Sequence, residues 1–240
     1  MKTTAVILSG GSGKRFGSDL PKQYVEVKGR SILSYTLDAF ARSSVDEIVV
    51  VAAEEYIECC RQIAASIPKS TEVIQGGEQR YDSVLQGLRY AAVHTDHPEE
   101  DIVLIHDGAR PLIRPEVIDD IIRTVKTCGA AIAAAPCTDT IKLADEEGNI
   151  AGTTDRSRTW AAQTPQTFVL QEILHAYEKI IGGRSQKETL QHITDDAMVY
   201  QMAFPGRPVR LINAGADNFK ITAPSDLIRM EGMLGEIKQF

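Results

Sequence analysis

Short runs of β-branched and aliphatic residues alternate along this chain with longer stretches whose apolar residues recur at helical intervals. That alternation confines it to an α/β fold, a mostly parallel sheet flanked by helices. Residues 4–8, 47–53, 71–75, 101–106 and 130–135 read as strands. The run Asp101-Ile102-Val103-Leu104-Ile105-His106 is apolar without a break, as a strand buried on both faces requires. Between the runs, Ser31 caps a helix that turns Ile32, Leu33, Leu37 and Phe40 inward, and Tyr56, Cys60, Ile63, Ala64 and Ile67 share a second face. Tyr81, Val84, Leu85, Leu88, Ala91 and Ala92 form a third face, and Pro115 suits the first position of a helix carrying Val117, Ile118, Ile121, Ile122 and Val125.

The composition changes from 137 to 158, a polar stretch that predicts a projecting arm or hairpin turning near residues 147–149. The chain resumes at 159–163, followed by a helix over about 169–181, a helix start at Thr194-Asp195-Asp196, a strand over 209–213 and a closing helix over 224–237. No linker divides the chain, so residues 1–240 are read as one domain with the arm inside it.

The net charge of −7 argues against a general affinity for nucleic acid or anionic membrane, which leaves a small, locally held anion as the partner for any basic cleft. Cys59, Cys60, Cys128 and Cys137 lack the spacing of a zinc site and read as reduced thiols. Residues 5–8 are too short an apolar run for a leader or a spanning segment, and a cytoplasmic location is expected.

Candidate chemistry gathers where strands end. The first strand runs into Ser9-Gly10-Gly11-Ser12-Gly13 and then Lys14 and Arg15, so that small residues admit a phosphate to the backbone N–H groups with cations beside it. The loop matches neither the Walker A spacing, since Leu8 and Arg15 stand where Gly and Ser or Thr are required, nor the dinucleotide fingerprint, which Phe16 breaks. Lys22 follows Pro21 within reach of a phosphate held there. Gly76-Gly77-Glu78, with Ser83 one helical turn on, offers a flat backbone edge to a base. Asp107 at the end of the buried strand is a candidate ligand for Mg²⁺, which needs few protein carboxylates when phosphates supply the rest; Arg110 is its candidate ion-pair partner.

Taken together, the segments 8–16, Leu20-Pro21-Lys22-Gln23, Asp107-Gly108-Ala109-Arg110-Pro111, Asp139-Thr140-Ile141-Lys142, Gln163-Thr164-Pro165-Gln166, Thr194-Asp195-Asp196-Ala197 and Asn218-Phe219-Lys220-Ile221-Thr222 resemble the 2-C-methyl-D-erythritol 4-phosphate cytidylyltransferases in order and spacing. The resemblance spans nearly the whole chain. It implies a Rossmann-like fold of the nucleotide-diphospho-sugar transferase type, with CTP and a polyol phosphate as substrates and Mg²⁺ or a similar divalent cation as cofactor. It also implies a homodimer formed through the arm.

On the same basis Arg15, Lys22, Arg156 and Lys220 are the catalytic cations. Ser9, Gly10, Gly11, Ser12, Gly13, Gly77, Glu78, Ser83 and Asp107 would hold the nucleotide, with Asp107 also serving the metal. Arg110, Thr140, Arg156, Thr194 and Lys220 would hold the second substrate. Leu8-Ser9-Gly10-Gly11 departs from the usual Pro-Ala-Ala-Gly and, together with Leu20-Pro21-Lys22-Gln23, is also similar to the ribitol-5-phosphate cytidylyltransferases, whereas Asp107-Gly108-Ala109-Arg110-Pro111 is closer to the methylerythritol form.

Overall fold

A computed structural model describes residues 1–11, 16, 20–182 and 193–236. The chain enters through β1 (Thr3–Ser9), makes a two-stranded ribbon of β2 (Glu26–Val27) and β3 (Arg30–Ser31), and continues into α1 (Ile32–Ala41) and β4 (Glu47–Ala52). Next come α2 (Ile57–Ala64), β5 (Thr71–Gln75), α3 (Arg80–Val93), β6 (Ile102–Asp107), α4 (Pro115–Cys128) and β7 (Ala130–Pro136). The arm carries β8 (Lys142–Ala144) and β9 (Ile150–Thr153), and β10 (Trp160–Val169) returns to the sheet. The chain closes with α5 (Leu170–Tyr177), α6 (Asp196–Ala203), β11 (Arg210–Asn213) and α7 (Pro224–Glu236).

Seven strands make one sheet in the order β11-β7-β10-β6-β1-β4-β5, parallel throughout except for β10, which is antiparallel to both of its neighbours. Because successive side chains alternate across a strand, the sheet builds two cores at once. Ala5, Ile7, Ile48, Val50 and Leu104 face α1, α2 and α4, while Val6, Val49, Val51, Val103 and Ile105 face α3, α5 and α6. β4 and β6 are buried along their whole length, which accounts for their unbroken apolar runs. A third, smaller cluster joins Val27, Ile32, Ala109, Ile221 and Met230 and packs α7 against the loop after β6.

Local signals set the helix ends where the sequence places them. Ser31 Oγ accepts from the N–H of Ser34, Asp195 accepts from the N–H of Met198, and Pro115 opens α4, which stops at Gly129 with φ of 82°. The cap of α3 is Gln79, which forms a reciprocal capping box with Asp82.

Apart from one-residue shifts at strand ends, the structure differs from the sequence reading around β10 and at the ribbon. β10 continues through Thr164-Pro165-Gln166 to Val169, where the helix was expected to begin. The proline is tolerated because the register against β7 shifts between Ala162 and Gln166, which spares the ladder a missing N–H. The helix that follows starts at Leu170 and relaxes into a π-helical turn at Glu178–Gly182. The ribbon of β2 and β3, turned by Lys28 and Gly29 at positive φ, is too short to show as a periodic signal.

Candidate active site

The parallel strands β1, β4 and β6 all end on one edge of the sheet, and a cleft of about 420 Å³ opens there. Such an edge is where open α/β sheets bind ligands, because strand ends and the loops after them converge without side chains filling the space. Gly10, Gly11 and Lys22 line one side, Gly77, Glu78, Arg80 and Ser83 another, and Asp107 and Lys220 the floor and far wall.

Of the glycine-rich loop, Gly10 and Gly11 reach the cleft; Ser12, Gly13 and Arg15 lie outside the described residues. Ser9 departs from expectation. Its hydroxyl points into the protein, 3.1 Å from the Tyr24 hydroxyl and 4.0 Å from the Cys60 thiol, and the side chain is buried. The Gln23 amide donates to the carbonyls of Ser9 at 2.7 Å and Gly11 at 3.1 Å, tying the exit of β1 to the short 3₁₀ turn Lys22–Tyr24 that presents Lys22. Beneath it, burial pushes the pKa values of Tyr24 and Cys60 up, so both stay protonated and serve as packing and hydrogen-bonding groups.

The loop after β5 is equally constrained. Gly77 donates its N–H to Ser83 Oγ at 3.2 Å, and a Cβ on Gly77 would lie 2.3 Å from Asp82 Cβ. Only glycine lets this backbone lie so close to α3, which leaves its outer edge open to the cleft.

Asp107 sits among three cations. Its Oδ2 is 2.9 Å from Lys220 Nζ and 3.4 Å from Arg110 Nε, and its Oδ1 is 3.8 Å from Arg80 Nε. Burial alone would raise its pKa, but Lys220, Arg80 and Arg110 outweigh burial and hold the carboxyl well below the usual range. Arg110 also donates to the carbonyl of Asn218 at 2.8 Å, so it braces the Lys220 loop from inside.

Arg80, which sequence reasoning passed over as part of a turn, forms a two-point pair with the fully buried Asp196 at 2.8 and 2.7 Å. Asp196 also accepts from the buried Tyr177 hydroxyl. Burial opposes the charge on Arg80, but Asp196 and Asp107 more than restore it.

β10 explains how these parts hold together. The Thr164 hydroxyl accepts from the N–H of Asp107 at 3.0 Å and donates to His106 Nδ1 at 3.0 Å, while His106 Nε2–H donates to the carbonyl of Arg110 at 3.1 Å. This chain assigns the proton of the neutral imidazole to Nε2. Burial lowers the His106 pKa to about 3, so the ring is uncharged at neutral pH. Asn218 donates to Gln163 Oε1 and the carbonyl of Thr164, each at 2.9 Å. Gln166 donates to Asp195 and accepts from the N–H of Ala197, fixing the start of α6. One strand thus orients Asp107, the Lys220 loop and the helix that anchors Arg80.

The remaining expected contacts lie elsewhere. Arg156 and Thr140 are exposed on the arm, with Arg156 3.5 Å from the carbonyl of Thr138, and neither lines the cleft. Thr194 is exposed at the start of α6, its hydroxyl 3.2 Å from Met198 Sδ.

Such a sheet, with Lys22, Arg80 and Lys220 gathered around a carboxylate in a cleft at its strand ends, defines an α/β protein built to hold a small anionic ligand. The family model for 2-C-methyl-D-erythritol 4-phosphate cytidylyltransferase matches residues 3–236, and the chain belongs to that family. It is 42% identical to the Lachnospira eligens enzyme of that name, over 93% of this chain and 95% of the relative. It is 38% identical to that of Clostridium botulinum strain 657, over 98% and 99%. The crystal structure of 4-diphosphocytidyl-2C-methyl-D-erythritol synthase from Anaerococcus prevotii superposes with a TM-score of 0.83 at 28% identity, covering 98% of this chain and 96% of that one. The Francisella tularensis 2-C-methyl-D-erythritol 4-phosphate cytidylyltransferase gives 0.77 at 27%, covering 97% and 99%. These findings favour the methylerythritol branch over the ribitol branch.

Proposed function

We propose that the chain transfers a cytidylyl group from CTP to 2-C-methyl-D-erythritol 4-phosphate, releasing pyrophosphate and 4-diphosphocytidyl-2-C-methyl-D-erythritol. The observation that carries this reading is the meeting of Lys22, Arg80 and Lys220 with Asp107 in one cleft at the strand ends, walled by the Gly77 turn. A phosphate oxygen of the polyol phosphate attacks the α-phosphorus of CTP, and the bond from that phosphorus to the bridging oxygen of the β-phosphate breaks. The attacking oxygen is already anionic, so no side chain has to remove a proton and no covalent enzyme intermediate forms. What remains is to align the groups and neutralise charge.

Lys22 and Arg15 act on the triphosphate in this reading, and Lys220, with Arg110 behind it, receives the polyol phosphate. The Gly77 edge, Glu78 and Ser83 hold the cytidine.

Asp107 fits a divalent cation that arrives with the nucleotide. It is one ionised carboxylate, and among the described residues no group of three His, Cys, Asp or Glu side chains could enclose a metal by itself. Triphosphate oxygens would supply the other ligands. A bound Mg²⁺ withdraws charge from the phosphates and orients the leaving group.

Arg156 and Thr140 lie on the exposed arm, away from the cleft of their own chain, which supports a homodimer in which each arm completes the partner's site. No described helix is long and apolar enough to cross a membrane; a cytoplasmic enzyme acting without nucleic acid is part of this reading.

Pyrophosphate release with CTP and Mg²⁺ tests it, run in parallel on 2-C-methyl-D-erythritol 4-phosphate and D-ribitol 5-phosphate. A strong preference for the first is expected. Preference for the second would move the chain to the ribitol branch, and silence with both would leave a nucleotide-binding protein without transfer activity.

A further inference from the structure

Asp107 has two kinds of cationic partner. Arg110 and Arg80 are each tied to a second group, Arg110 to the carbonyl of Asn218 and Arg80 to the buried Asp196. Lys220 reaches Asp107 from the cleft wall at 2.9 Å and lies among the groups an incoming phosphate would meet. Arg110 lies on the Oδ2 side of Asp107 at 3.4 Å and Arg80 on its Oδ1 side at 3.8 Å, so the carboxylate has cationic partners besides Lys220. The pairs run from Arg80 to Oδ1 and from Arg110 and Lys220 to Oδ2, so Arg80 approaches the carboxylate at the other oxygen.

The planar guanidinium matters here. With both Nη atoms engaged by Asp196, the direction of Nε toward Asp107 is set by the fork, whereas a lysine ammonium has no second, rigidly placed donor.

We propose that Arg80 is a positioning residue of the transfer reaction, anchored on Asp196 so that a fixed positive charge holds the Asp107 carboxylate in place while Lys220 engages substrate. This rests on the cytidylyl-transfer reading. It gives the pairing of Arg80 with the buried Asp196 a part in turnover beyond holding α6 to α3.

Removing Arg80 alone strands the buried Asp196 carboxylate, which is strongly destabilising whatever the arginine does in the cleft. The test is therefore R80M/D196N, which removes both charges and leaves an amide oxygen to accept from Tyr177. Steady-state kinetics with CTP and 2-C-methyl-D-erythritol 4-phosphate are measured beside thermal unfolding. The wild-type protein in the same assay reports on the reading itself: no turnover there overturns the reading and this inference together. With an active wild type, the expected double variant melts within a few degrees of it, changes KM for CTP less than about threefold, and loses about tenfold to a hundredfold in kcat. Wild-type kcat in a folded double variant would show a purely structural pair and overturn the proposal. So would a loss confined to KM for CTP, which would make Arg80 a binding group. Should the double variant fail to fold, R80K decides: a folded R80K with full kcat also overturns the proposal, and a folded R80K with a tenfold loss supports it.

Discussion

Thr164→Val removes one oxygen and keeps the shape of the side chain, yet that oxygen accepts from the N–H of Asp107 and donates to His106 Nδ1, both at 3.0 Å. Both stranded groups are buried. A buried polar group left without its partner costs about 1–3 kcal/mol, so the pair amounts to roughly 2–6 kcal/mol. With a urea dependence of about 2–3 kcal/mol per molar, the unfolding midpoint should fall by about 0.7–3 M. Thr164→Ser keeps the hydroxyl and loses a buried methyl, for about 1 kcal/mol. Urea unfolding followed by circular dichroism measures both variants. A Thr164→Val protein within about 0.5 kcal/mol of wild type, or a serine variant as weak as the valine one, would refute the hydrogen-bond chain as the cause. Turnover should fall more in the valine variant than its stability does, because the N–H it releases belongs to Asp107 itself.

The neutral His106 makes stability depend on pH. Its pKa is about 3 in the folded chain against an ordinary 6.5, so below pH 6.5 the unfolded chain binds a proton that the folded chain refuses. Stability is therefore fully present above pH 6.5 and declines as pH falls, with a limiting slope of about 1.4 kcal/mol per unit; urea midpoints flat from pH 6.5 to 4.5 would contradict it. Gly77→Ala should cost about 1–3 kcal/mol, since its Cβ would overlap Asp82 in the first turn of α3, and calorimetric titration should show weakened CTP binding; unchanged affinity would remove this turn from the nucleotide site. Finally, Lys22→Ala and Arg156→Ala proteins, each expected to be nearly inactive, should regain up to about a quarter of wild-type activity when unfolded together and refolded. Half of the mixed pairs' sites then carry both intact residues. No recovery above the sum of the separate proteins would place Arg156 outside the partner's site.

The sheet and its helices were legible because their signals are local. The fully buried β4 and β6 show as apolar runs, Ser31 and Asp195 each stand three residues before the N–H they cap, and Pro115 occupies the first turn of α4, where its missing N–H costs nothing. The site was legible where glycine turns and cations sit at strand ends. What escaped is held by partners distant in sequence. Arg80 reads as a turn residue because its carboxylate, Asp196, lies 116 positions away. Gln163, Thr164 and Gln166 carry no periodic signal, and their purpose appears only when β10 lies beside Asp107, Asn218 and α6. Ser9 follows the loop pattern, and only the packing of Tyr24 and Cys60 beneath it shows that its hydroxyl turns inward.

The reversed direction of β10 also decides where the chain can be cut. Pro136 at the end of β7 is paired directly with Trp160 at the start of β10, so the whole arm leaves and re-enters the sheet through two neighbouring backbone positions. A two-residue reverse turn spans that gap. Replacing residues 137–159 with such a turn should yield a shortened protein that keeps the seven-stranded sheet and every described residue lining the cleft, and so still captures nucleotide. Residues of the arm could then be supplied on a separate peptide, which turns the enzyme into a two-piece system whose assembly can be titrated.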